Sequence, residues 1–92
     1  MDQKINQTVK STLGKYNLKS AAIFGSYARG EENENSDLDI LISLKRDMNL
    51  LDIIGIEQEL EDILGKKVQI ITERSIKPRL REYIYRDLIQ VI

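Results

Sequence analysis

Four residues in the stretch Ile23–Leu44, namely Gly25, Ser26, Asp37 and Asp39, have the types and spacing that phosphate and metal chemistry needs. An apolar segment, Ala21-Ala22-Ile23-Phe24, runs into Gly25-Ser26. Ten residues intervene, and a second apolar segment opens with Asp37-Leu38-Asp39. Residues two apart on a strand share a face, so both aspartates point one way about 7 Å apart, at roughly 3.3 Å per residue. Leu38, Ile40, Ile42 and Leu44 make the opposite, wholly apolar face. A carboxylate inside such a strand is costly unless a charge compensates it. A divalent cation provides that compensation, and two carboxylates leave coordination positions open for water and phosphate oxygens. Gly25, with no Cβ, lets the backbone approach a ligand, and Ser26 opens a short helical turn, Ser26 to Arg29, that Gly30 ends. The N-terminus of such a turn presents unpaired N–H groups to phosphate. A phosphate cradle facing a carboxylate pair serves metal-assisted phosphoryl transfer.

The string Gly25-Ser26-Tyr27-Ala28-Arg29-Gly30, followed by Ser36-Asp37-Leu38-Asp39, resembles the signature of the DNA polymerase β-like nucleotidyltransferase superfamily. It looks like the small prokaryotic branch, the minimal nucleotidyltransferases, and the resemblance covers nearly the whole chain. It implies a polymerase β palm-like fold and transfer of a nucleotidyl group, AMP from ATP in the first instance, with pyrophosphate leaving. It implies that Asp37 and Asp39 hold Mg²⁺, as one ion or two, with Mn²⁺ as a substitute. Gly25 and Ser26 would bind the β- and γ-phosphates. Arg29 would either touch phosphate or pair with the Glu31–Glu34 loop. The family's third carboxylate, which completes metal binding and deprotonates the acceptor, falls in register on Gln69. Glutamine offers an oxygen but neither charge nor basicity. Glu73 shares that strand face but lies about 13 Å further along. The family's acceptor is often a tyrosine of a HEPN-type toxin, which makes the transferase an antitoxin.

Composition bounds these readings. A chain of 92 residues suits one domain, 1–92, with a modest core. A formal charge of −1 recruits neither nucleic acid nor an anionic membrane, which argues against a stand-alone polymerase. Cysteine and histidine are both absent, which excludes disulfides, thiolate metal sites and histidine acid–base catalysis. The N-terminus reads as carrying no apolar signal region, and no apolar run approaches membrane length, so the expected location is cytoplasmic.

The elements that must position the site follow from periodicity. Ile5, Val9 and Leu13 form a helical stripe over residues 2–13, with Gly14 as its stop. Glu31 to Ser36 is a polar, turn-forming loop whose three glutamates read as solvated rather than ligating. A helix is expected over about Leu50–Leu64, capped by Asp47 or Asn49. Its apolar face would be Ile53, Ile54, Ile56, Leu60, Ile63 and Leu64, with Glu57, Glu59, Glu61 and Asp62 in solvent. Val68–Thr72 reads as the third strand. A last helix, begun by Ser75 or Lys77, runs from about Arg79 to Val91 with Leu80, Ile84, Leu88 and Val91 or Ile92 on one face. The expected fold is α/β: a small mixed sheet of three strands, with room for one further short strand, and helices mainly on one face. Two functions fit this sequence. One is the metal-dependent nucleotidyltransferase with a protein partner or self-association. The other is a catalytically weak relative that neutralises or scaffolds a partner by contact, which Gln69 favours.

Overall fold

The computed structural model describes residues 3–92. Helix α1 spans Gln3–Leu13; Asp2, expected to begin it, lies outside the described residues. Ile5, Val9 and Leu13 are buried as their spacing predicts. The reversal after α1 falls not at Gly14 but at Asn17 (φ 54°), because a 3₁₀ turn, Gly14–Tyr16, prolongs the helix. Strand β1 is Ser20–Phe24, the turn α2 is Ser26–Arg29, and strand β2 is Leu38–Ser43. Helix α3 covers Leu50–Leu64, with the Asn49 side chain accepting from the Asp52 amide at 2.9 Å. That settles its cap; Asp47 instead pairs with Arg74. Strand β3 is Val68–Thr72, helix α4 is Pro78–Tyr85, and strand β4 is Ile89–Gln90.

The sheet order is β3-β2-β1-β4. β1 and β2 run antiparallel with Ile23 opposite Ile40 and Phe24 opposite Asp39. β2 and β3 run parallel, joined by the α3 crossover that parallel pairing requires, and Asp39 lies opposite Gln69. Strand alternation then sorts the side chains. Leu38, Ile40 and Ile42 face α1 and α3, forming the main core with Val9, Leu13, Ile56 and Leu60. Phe24, Asp39, Leu41 and Gln69 belong to the other face. There α4 packs through Ile84, with Ile76, against Phe24 and Leu41.

Three expectations need correction. The last helix ends at Tyr85, not Val91, and the chain continues as β4, pairing Ile89 with Ile23 and Gln90 with Ala22. The outer edge of β1 needs hydrogen-bond partners, and β-branched Ile89 and Val91 suit extended chain. Ile84 and Val91, expected on one helix face, therefore lie in the two separate cores, and Leu80 is exposed. Secondly, α3 buries a narrower stripe: Ile54 and Ile63 are exposed. Thirdly, Glu57 and Glu61 do not simply face solvent. They accept from the outward amides of Ile70 (2.7 Å) and Val68 (3.0 Å) on β3, an edge strand whose donors would otherwise lack partners. Glu59 accepts from Lys15 and Tyr16.

Candidate active site

The site lies where β1 ends and β2 begins, on the sheet face opposite the main core. Gly25 takes φ 77° and ψ −152°, a conformation that side chains disfavour. A Cβ built on it would sit 2.4 Å from Asp39 Oδ2, so the glycine backbone lies directly against that carboxylate. The α2 turn follows at once. The amides of Ala28 and Arg29 bond to the Gly25 carbonyl at 3.1 and 3.2 Å, whereas those of Ser26 and Tyr27 open the turn and have no earlier turn to bond to. Tyr27 anchors the turn: its ring is buried in the main core and its hydroxyl accepts from Lys66. Gly30, at φ 71°, ends the turn, and the Glu31 amide returns to the Ser26 carbonyl at 2.9 Å.

Asp37 is exposed and Asp39 half-buried. Burial raises the Asp39 carboxyl above its ordinary value, the Asp37 charge adds to the rise, and Arg29 opposes it. The two aspartates therefore sense each other, and a cation between them would relieve both the burial cost and the repulsion. Arg29 donates to Glu31 Oε1 at 3.0 Å and to the Tyr83 hydroxyl at 3.4 Å, its guanidinium 5.8 Å from the centre of the Tyr83 ring. The pairing of Arg29 with the acidic loop is thus present in the structure. Ser36 closes that loop, its hydroxyl accepting from the Asn33 amide at 2.9 Å.

Gln69 occupies the expected register position, exposed and opposite Asp39. Glu73 lies in the 3₁₀ turn beyond β3 and engages Tyr85, whose phenol is raised by burial first and by the Glu73 charge second. Among the described residues no three acidic, histidine or cysteine side chains gather in a metal-holding group. Clefts of about 260 and 440 Å³ lie elsewhere, around Tyr16–Leu18 with Leu44–Met48 and around Gly65–Lys67. Tyr83 is the site neighbour that sequence reasoning missed. Its signal in the sequence is its place among Arg79, Arg81 and Arg86.

The profile of the nucleotidyltransferase domain family matches residues 3–91. The chain belongs to that family. It is 34% identical over 82 residues to the protein adenylyltransferase MntA of Thermococcus cleftensis, covering 89% of this chain and 83% of that one. A solved structure provisionally named a minimal nucleotidyltransferase is 38% identical, with a TM-score of 0.81 over 95% of this chain and 89% of that one. A solved complex from Shewanella oneidensis joins a triply AMPylated HEPN toxin to an MNT antitoxin. It matches with a TM-score of 0.81 at 20% identity, over all of this chain and 72% of that one, which is a likeness of fold. The nucleotidyltransferase fold and enzyme class read from Gly25-Ser26 and Asp37-Leu38-Asp39 agree with these findings.

Proposed function

We propose that this nucleotidyltransferase moves AMP from ATP to a hydroxyl of a protein partner, a tyrosine of a HEPN-type toxin, and so acts as an antitoxin. The observation that carries the reading is the contact between the Gly25 backbone, where the α2 turn opens, and the Asp39 carboxylate. The names of the relatives support AMP as the group transferred, and the AMPylated toxin complex supports a protein acceptor.

Asp37 and Asp39 supply hard oxygen donors of the kind Mg²⁺ takes, and a cation there would offset the burial and the Asp37 charge that raise the Asp39 carboxyl. A divalent ion held by these two carboxylates would supply positive charge to offset that of the triphosphate during transfer. Ser26 and the first amides of α2 hold the β- and γ-phosphates, and Arg29 adds a positive charge at their side. The acceptor oxygen then bonds to the α-phosphorus, the bond to the β-phosphate bridging oxygen breaks, and pyrophosphate leaves. Gln69 offers a neutral amide next to Asp39, so the acceptor proton finds no third carboxylate. The exposed Gln69 also favours the second reading, a binding module that keeps the nucleotide site and neutralises its partner by contact.

The test is transfer of α-labelled AMP from ATP to a purified HEPN-type toxin, with and without Mg²⁺. Label on the toxin that needs Mg²⁺ and disappears with Asp39→Asn supports the enzyme. Toxin neutralised with no label at all supports the binding module.

A further inference from the structure

The chain has four tyrosines, and the fold treats one of them differently. Tyr27 is buried and its hydroxyl accepts from Lys66. Tyr16 is half-buried and donates to Glu59. Tyr85 is half-buried beside Glu73. Tyr83 is 51% exposed, and its hydroxyl lies 3.4 Å from Arg29 Nη1 at the rim of the candidate site. Arg29 belongs to the α2 turn, which opens at Gly25, whose backbone lies against the Asp39 carboxylate. Helix α4 thus holds an open phenol against Arg29 of the α2 turn, and the packing of Ile84 on Phe24 and Leu41 fixes the helix there.

We propose that Tyr83 is an acceptor in its own right: the chain adenylylates itself at this residue. The inference rests on the reading above, since it needs AMP transfer from ATP to tyrosine. The Tyr83 phenolic oxygen bonds to the α-phosphorus of Mg-bound ATP, the bond to the β-phosphate bridging oxygen breaks, pyrophosphate leaves, and the phenolic proton passes to solvent. The product is a tyrosine–AMP phosphodiester. Its negative charge falls beside Arg29, which exchanges a neutral hydroxyl partner for an anion and gains a charge-assisted bond. The tethered AMP then competes with incoming ATP for the same turn at a high effective concentration. Self-modification therefore switches the transferase down.

The experiment incubates the purified full chain with α-labelled ATP and Mg²⁺ in the absence of any other protein. Intact mass is followed by fragmentation of the peptide that holds both Tyr83 and Tyr85. The expected result is one adenylyl group per chain, assigned to Tyr83, absent in Tyr83→Phe and in Asp39→Asn and retained in Tyr85→Phe. Chain modified beforehand should lose transfer to a HEPN-type acceptor in proportion to the fraction modified. Label on another residue, label that persists in Tyr83→Phe, or an unlabelled chain overturns the proposal. A chain that labels the acceptor but never itself overturns this inference alone. One that labels neither overturns the AMP-transfer reading as well.

Discussion

Gly25 carries two separate demands, and a comparison with Gly30 divides them. Gly30 (φ 71°, ψ 24°) lies in the left-handed helical region, where alanine costs about 1 kcal/mol, whereas Gly25 (φ 77°, ψ −152°) takes a conformation that essentially only glycine adopts. At Gly30 the space for a Cβ is open, whereas at Gly25 it is filled by the Asp39 carboxylate. Gly30→Ala should therefore melt slightly lower and keep Mg-dependent ATP binding. Gly25→Ala should lose that binding and be destabilised by roughly 1–3 kcal/mol. Equal behaviour of the two variants in melting and ATP titrations would detach Gly25 from the site. Asp39 gives a pH prediction. Its folded-state carboxyl is raised above the unfolded value, so ionisation opposes folding, and its stabilising contribution is lost as pH rises through the raised value. Without metal, Asp39→Asn should melt at or slightly above the wild type at neutral pH. That gap should close as pH falls below the ordinary carboxylate range. A severely destabilised variant would make Asp39 a structural residue. At Gln69, a missing general base is typically worth about 10²–10⁴-fold. Gln69→Asp should thus speed AMP transfer within that bound, while Gln69→Ala should change it little. Transfer slowed by Gln69→Asp would place the third position elsewhere.

At the scale of elements, the parts around the site were the most legible in the sequence. The short-range pattern of β2 already separated Leu38, Ile40 and Ile42 from Asp37 and Asp39, and the structure keeps that division. The bounds of α3 and β3 were also readable, because Asn49, Gly65 and the apolar run Val68–Ile71 are local signals. What failed was decided by tertiary position. Ile89 to Ile92 continues a helical spacing of apolar residues as readily as it starts a strand, and the open edge of β1 chose the strand. The glutamates at 57 and 61 look solvated until the sheet order places β3 at an edge. Tyr83 reaches Arg29 across 54 positions of sequence, a distance at which no local pattern speaks. The glutamate contacts carry their own expectation. Each is a charged acceptor on a strand amide, so Glu57→Ala or Glu61→Ala should cost about 1–3 kcal/mol in urea denaturation. Removing both should expose a pairing edge and make the chain associate as its concentration rises. Unchanged stability and a concentration-independent mass would mean that water replaces both side chains freely.

Across the whole molecule, two helices cover one sheet face and α4 alone packs on the other, where Asp37 and Gln69 stand exposed. On the proposed function, ATP would meet this open face through the aspartate pair, the α2 turn and Arg29, and the acceptor would supply the remaining wall. The net charge of −1 gives ATP no general attraction, so affinity has to come from the site itself. Two carboxylates facing a triphosphate repel it unless a cation lies between them. Calorimetric titration of the chain with ATP, in the presence and absence of Mg²⁺, therefore tests the central claim most directly. Binding is expected with Mg²⁺, none measurable without it, and the Mg²⁺-dependent binding should be lost in Asp39→Asn. Equal affinity with and without Mg²⁺, or an Asp39→Asn chain that binds as the wild type does, would contradict that claim.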